Sequence, residues 1–391
     1  MIKLSKSCND LLSPLHKAPE NVFTIYDSMN NFKGWQNKFT LNISYDIIFS
    51  NNIFNLDNNS ILNFSKDSKL FIVIDQSVFE LLIQKMENYF NFHQLKPTFV
   101  VLPGEEINKK WESVEKILKA CCSYGLKRRE YILAIGGGVV LDIAGMAASL
   151  YRRGVPFIRI PTTLLGIVDA SVGVKNGVDF ENFKNRIGSF YAPELVLIDL
   201  EFLKTCNTRN IINGIGEIMK LALVRSVALF CLLEKYGKQL VESKFNIPQA
   251  KDVINQSIQI MLEELGPNLW EHTLERCVDF GHTFSKIIEM IPNIDIMHGE
   301  AVNIDICLCL KISKQRGYIT EEIFNRIYQA MKNIGLPTEI PNEAIKLLPQ
   351  ALTDSLEHRN GKQRIPLITA IGSYIIVNDI SENEIHSLKK N

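Results

Sequence analysis

The sequence predicts an α/β protein: a parallel sheet with helices on both faces, followed by a helical half. Between about 69 and 205, short apolar, β-branched runs alternate with stretches of helical spacing, which is the signature of a parallel α/β sheet. After about 206 only the helical spacing continues, with apolar residues three and four apart. A third observation is a glycine triplet, IGGG, where one of these strands runs into its helix.

The elements follow in order. Residues 1 to about 60 are Asn-rich with short alternations such as FTLNISYDIIF, read as a tail with one or two strands. LFIVID (70–75) is a buried strand ending in an acid, and QSVFELLIQKMENYF is its helix. PTFVVLPG and WESVEKILKACCSYG repeat the pattern, as do YILAIGGG and VVLDIAGMAASLYRRG. PFIRIPTT and LVLID complete the sheet. INGIGEIMKLALV, NIPQAKDVINQSIQIMLEEL, FGHTFSKIIEMI, HGEAVNIDICLCLKISKQRG and TEEIFNRIYQAMKNIG then predict helices. The expected division is an N-terminal extension with short strands (1–60), an α/β domain (61–205) and a helical domain (206–391).

Composition narrows the classes. Formal net charge is zero, with 43 basic and 43 acidic residues, so no field favouring nucleic acid or acidic lipid is implied. The eight cysteines include no C-x-x-C pair, which speaks against a zinc ribbon and for reduced thiols in a cytoplasmic protein. No run approaches the length of a membrane span or of a signal-peptide core.

Several stretches carry polar residues where chemistry needs them. In IGGGVVLD (135–142) the glycines would let backbone approach a phosphate at a helix N-terminus, yet a plain tight turn fits equally well, and this is not G-x-G-x-x-G. IPTTLLGIVDASVGVKNGV (160–178) places Asp169 and Lys175 in a loop at the carboxyl end of a strand, too apolar to lie wholly in solvent. In FKNRIGSFYAP, Lys184, Asn185 and Arg186 interrupt an apolar stretch. Glu217 and Lys220, three apart in GIGEIMKLALV, share a helix face; taken alone they read as a surface ion pair. His282 and His298 each sit beside a glycine, each at an expected helix start. With Glu217 they would make a His₂Glu set, a catalytic-type zinc site with one position open; structural histidines are the competing reading.

In order, GGGVVLD, PTTLLGIVDASVGVKNGV, KNRIGSFY, GIGEIMK, FGHTF and HGEAV resemble the 3-dehydroquinate synthase superfamily, the sugar phosphate cyclases, over roughly residues 70 to 375. The resemblance implies a Rossmann-like NAD-binding domain joined to an all-helical metal-binding domain, with the site in the cleft between them. It implies NAD and zinc, with cobalt possible, as cofactors. Gly137, Gly138, Val139 and Asp142 match the turn at the NAD phosphates. Asp75, Glu106 and Lys109 match adenosine-side contacts, and Thr162, Thr163, Leu165, Phe202 and Thr205 match further NAD contacts, with Lys184 nearby. Glu217, His282 and His298 match the metal ligands. Asp169, Lys175, Lys184, Asn185 and Lys220 match the substrate-contacting set. Arg153 matches an arginine offered to the phosphate across a homodimer interface. The implied chemistry is transient oxidation by NAD, β-elimination of phosphate, re-reduction, ring opening and an intramolecular aldol.

Departures from the dehydroquinate synthase pattern narrow the substrate. That pattern, R-x-x-x-N-F-G-H, has Glu275 in its arginine place and Asp279 in its asparagine place here. The second histidine, one turn after the metal ligand, is Lys286, and a lysine near the C-terminus is His358. Arginine and lysine are the natural readers of a carboxylate, so their loss and the gain of acids favour an uncarboxylated polyol such as sedoheptulose 7-phosphate. Leu265, Asp279 and His358 are similar to the pattern of the 2-epi-5-epi-valiolone synthases, which serve C7-cyclitol natural products; there Asp279 and His358 join the substrate contacts. Lys286 stands where that subgroup leads one to expect proline. Demethyl-4-deoxygadusol synthase, 3-dehydroquinate synthase and a metal-dependent alcohol dehydrogenase are the alternatives, in that order.

Overall fold

The computed structural model describes residues 22–29, 31–38, 41–181, 183–291 and 294–388, apart from the side chains of residues 22–24 and of His358. Two compact units result, one ending at Ser44 and one running from Tyr45. The first holds an antiparallel hairpin, Val22–Tyr26 with Phe32–Asn37, whose Tyr26, Phe32 and Trp35 meet edge to face.

The second unit is built on a six-stranded sheet, parallel throughout. In spatial order its strands are Asp46–Ser50, Leu195–Asp199, Phe157–Pro161, Ile132–Gly136, Lys69–Asp75 and Lys96–Leu102. The edge strand Asp46–Ser50 comes from the stretch read as an N-terminal extension. Central strands buried on both faces need continuous apolar runs, and Phe71, Ile72, Val73 and Ile74 are all fully buried. From Lys69–Asp75 the chain adds its next strand on one side and then crosses to place Ile132–Gly136 on the other. That reversal is a topological switch point, the crevice where open α/β sheets bind ligands.

Two features were not foreseen. The loop expected through Lys175 gives way to an antiparallel hairpin of Lys175–Phe180 and Phe183–Phe190. Its short, Gly-rich strands hide the period-two pattern. The C-terminal half is helical except for a hairpin, Ile365–Ala370 with Ser373–Val377, closed by Gly372 at φ +81°. The expected helix at FGHTFSKIIEMI shrinks to Ser285–Glu289, because Gly281 at φ +76° breaks the preceding turn. His282 therefore lies in a turn, whereas His298 does open a helix, His298–Gln315. No described helix is long and apolar enough to cross a membrane.

Candidate active site

Two glycines bring the metal-site residues together. The helices Thr208–Arg225 and His298–Gln315 cross where a Cβ on Gly216 would lie 2.2 Å from the Gly299 carbonyl oxygen, and one on Gly299 1.8 Å from that of Asn213. Only hydrogen fits there. The Gly299 N–H donates to Asn213 Oδ1 at 2.6 Å, pinning the crossing. Glu217, next to Gly216, thus reaches His298, next to Gly299.

Glu217 Oε1 lies 3.3 Å from His298 Nε2 and 3.6 Å from His282 Nε2. The three ligand atoms fall within 4.8 Å of one another. Glu217 is 1% exposed, and this oxygen has no hydrogen-bond partner among the described residues. A buried carboxylate oxygen is left bare only where something else satisfies it. Each histidine turns its other nitrogen to an orienting acceptor: His282 Nδ1 to the Phe280 carbonyl at 3.2 Å, His298 Nδ1 to Glu289 Oε1 at 3.1 Å. That arrangement fixes both Nε2 atoms toward Glu217, as ligating histidines require. Two imidazoles and a carboxylate with a fourth direction open suit zinc.

The surroundings are strongly coupled. Lys220, 2% exposed, pairs with Glu217 Oε2, so the pair that could pass for surface is buried. Burial works against the Glu217 charge, but Lys220 and the two imidazoles outweigh it and hold the carboxyl well below its usual range. Burial and then Lys220 push His282 down to about 3. Burial opposes the His298 charge too, yet Glu289 and Glu217 raise it to about 10. Glu289 also accepts from Lys184 Nζ at 2.6 Å, and Lys184 lies 3.2 Å from Glu106. Burial and the Glu217 charge raise Asp169, in the turn Gly166–Ala170, above its ordinary value.

Lys175 is 58% exposed, more open than its apolar context suggested, because its strand lies in a hairpin. Its Nζ lies 2.8 Å from Glu271 Oε1, and Arg276 contacts the same oxygen. Arg276 Nη2 donates to Asp279 Oδ1 at 2.6 Å, and Arg359 Nη2 stands 3.7 Å from Asp279 Oδ2. Burial opposes the Asp279 charge, but the two guanidiniums hold its pKa below normal. Both its oxygens thus face arginines. Glu271, Arg276, Glu289 and Arg359 were missed as site residues; the three-residue spacing of Arg276 and Asp279 was the one available signal. His358 ends the helix Leu348–His358, and its side chain lies outside the described residues. Asn185, at φ +50°, is exposed, its N–H donating to Asp179 Oδ1 at 2.8 Å. Arg153 is exposed, with no ion-pair partner among the described residues.

The residues expected to contact a dinucleotide fall mostly at the carboxyl ends of the sheet strands and in the turns that follow them. Gly137 is the N-cap of the helix Gly138–Leu150, which has no side-chain cap and so leaves its first amides free for an anion. A Cβ at Gly137 would stand 3.2 Å from Thr163 Cγ2, and one at Gly138 3.3 Å from Ala170 Cβ, so side chains there would fill the cradle. Val139 lies in the first turn. Asp75 caps the helix Gln76–Phe92 through Oδ1, with Ser77 N–H at 2.9 Å, while Oδ2 lies against Gly104, where a Cβ would come within 1.9 Å. Lys109 and Asp142 pair at 2.7 Å. Thr163 Oγ1 accepts from Gly166 N–H at 3.1 Å, and Thr162 is buried beside it; Leu165 follows, half-buried. Phe202 and Thr205 line a cavity of about 200 Å³ with Leu82 and Lys85. Open helix amides, a glycine cradle and an acid across the crevice fit a dinucleotide.

This fold and metal set define the class. Family models for the N-terminal and C-terminal parts of 3-dehydroquinate synthase match residues 99–213 and 214–357, and the chain belongs to that family. Within it, the 2-epi-5-epi-valiolone synthase of Streptomyces albus is 40% identical over 366 residues, covering 91% of this chain and 89% of that protein. The demethyl-4-deoxygadusol synthase of Trichormus variabilis is 33% identical over 352 residues, covering 88% and 86%. The solved 2-epi-5-epi-valiolone synthase of Streptomyces hygroscopicus subsp. jinggangensis, with NAD+ and Zn2+ bound, superposes with a TM-score of 0.87 at 40% identity, over 90% of this chain and 98% of that one.

Proposed function

We propose that this chain is a sugar phosphate cyclase converting sedoheptulose 7-phosphate to 2-epi-5-epi-valiolone and phosphate, with NAD and zinc as cofactors, for C7-cyclitol biosynthesis. The observation that carries the reading is the 40% identity with 2-epi-5-epi-valiolone synthase over nine-tenths of the chain, joined to a preformed Glu217–His282–His298 set. When bound, NAD supplies and recovers a hydride and zinc polarises substrate oxygens.

The chain's own residues do the rest. Glu217, His282 and His298 hold the metal, and the Gly137–Gly138 turn with Asp75, Asp142, Thr162 and Thr163 holds the dinucleotide. Lys220, buried against Glu217, and Lys175 place positive charge where an alkoxide or phosphate charge develops. Lys184 and Asn185 line the substrate side. Asp279, fixed by Arg276 and Arg359, faces the polyol end and denies a carboxylate the two arginines it would seek. In a homodimer, the unpaired Arg153 reaches the neighbouring active site. The seven described cysteines are all free thiols, which supports a cytoplasmic location.

Incubation with sedoheptulose 7-phosphate, NAD and zinc should release phosphate and yield the cyclitol without net NADH. No phosphate, or turnover only with a carboxylated heptulosonate phosphate, rejects the reading. Demethyl-4-deoxygadusol as product would select the sister activity, which has 33% identity behind it. Net NADH release would select an alcohol dehydrogenase.

A further inference from the structure

One strand of the sheet carries a charge into the core. Arg159, on Phe157–Pro161, is 0% exposed. Burial works against the guanidinium and brings its pKa down to about 10, so it is still charged at neutral pH. Its hydrogen-bond acceptors are all neutral oxygens. Nη1 donates to the carbonyls of Ser171 at 3.3 Å and Gly173 at 2.6 Å, and Nη2 to the Lys175 carbonyl at 3.1 Å and to Asn176 Oδ1 at 2.7 Å. The intervening carbonyls have other donors: that of Val172 accepts from the Tyr45 hydroxyl at 2.5 Å, and that of Val174 from the Tyr191 N–H at 2.7 Å. One planar fork therefore gathers alternate carbonyls of a segment, 171–174, that belongs to neither helix nor strand and is flanked by Asp169 and Lys175. The neighbouring helix Gly138–Leu150 makes room at Gly145, where a Cβ would lie 1.7 Å from Asn176 Oδ1.

We infer that Arg159 is a positioning residue, which fixes Asp169 and Lys175 relative to each other through the backbone between them. This role rests on the proposed reaction, in which those two side chains contact the substrate. A buried cation bonded only to neutral oxygens is costly, and for stability alone an apolar side chain would serve this face better. What the guanidinium adds is shape: it holds residues 171 to 175 in one conformation. Neither flanking residue sits inside a long element. Asp169 lies at the end of the turn Gly166–Ala170, and Lys175 opens the strand Lys175–Phe180. Without the fork, the carbonyls of Ser171, Gly173 and Lys175 lose this shared donor, and the spacing of Asp169 and Lys175 is no longer set. Lysine cannot replace it, because one ammonium is a point charge without the planar reach to span these acceptors.

The test compares the NAD- and zinc-loaded parent with Arg159→Lys, which keeps the charge and loses the fork. Amide hydrogen exchange over residues 169–176, read by mass spectrometry, should speed up about tenfold or more, while 276–283 and 298–304 keep the parent's rates. With sedoheptulose 7-phosphate, kcat per NAD-loaded site should fall about tenfold or more at unchanged zinc content. Parent-like exchange over 169–176, or kcat per loaded site within about twofold of the parent, overturns the inference. So does faster exchange spread evenly over the sheet, or activity lost only in step with NAD and zinc, either of which marks a general role in stability. If Arg159→Lys does not fold, Asn176→Ala, which removes one acceptor and leaves the guanidinium in place, carries the same comparison with the same outcomes. If the parent itself does not turn over sedoheptulose 7-phosphate, the proposed reaction fails, and the exchange comparison alone decides whether Arg159 sets this segment.

Discussion

Zinc binding should release one proton at neutral pH, and the proton should come from His298. In the metal-free protein, burial opposes the His298 charge, but Glu289 on one nitrogen and Glu217 on the other raise its pKa to about 10. His282, pushed down to about 3 by burial and Lys220, is already neutral, and Glu217 is already ionised. A metal must therefore displace one proton, from Nε2 of His298, while Glu289 keeps Nδ1–H. The sign follows: raising the pH removes the competitor, so apparent affinity rises about tenfold per pH unit between roughly 5 and 9. At pH 7, the gap to about 10 makes the proton weaken binding by about a thousandfold. Calorimetric titration with zinc in two buffers of different ionisation enthalpy counts the protons directly, and Glu217→Ala, which removes a ligand, is the control expected to bind no zinc tightly. Release of no proton, or of two, refutes the electrostatic account of the triad.

The remaining predictions concern what positions the site. Gly216→Ala puts a methyl 2.2 Å from the Gly299 carbonyl oxygen, so the helices must part; we expect a loss of about 1–3 kcal/mol in denaturant unfolding together with reduced zinc content. Asp305 Oδ2 accepts the N–H groups of Thr283 at 2.8 Å and Ser285 at 2.9 Å, and also that of Phe284, holding the turn that carries His282. Asp305→Ala strands three buried donors, and thermal unfolding should shift down by several degrees, by about 3 kcal/mol or more in stability. Asp279→Asn leaves Arg276 and Arg359 short of a carboxylate. A carboxylated heptulosonate phosphate should then inhibit about tenfold more strongly relative to the polyol phosphate, measured as a ratio of inhibition constants.

How much of this was legible in the chain depends on whether a residue's partner is close in sequence. The sheet was readable because LFIVI and YILAIG bury both faces and so spell themselves as apolar runs, and PFIRIP does the same around one buried arginine, Arg159. Glu217, His282 and His298 were readable by resemblance, but spacing alone left surface and structural readings open. What settles the geometry is the Gly216–Gly299 contact, made by residues 83 positions apart that look like ordinary helix glycines. The same holds for charge. The sequence marks Asp279 as an acid favouring an uncarboxylated polyol, but not its partners, since Arg359 lies 80 residues downstream. Once both arginines are placed, the acid is satisfied by the protein, and under the proposed function its contribution to specificity would be to withhold two arginines from a substrate carboxylate. If the proposed function is right, selection against a carboxylated sugar phosphate resides in the cations that the folded chain neutralises internally, Arg276 and Arg359 at Asp279.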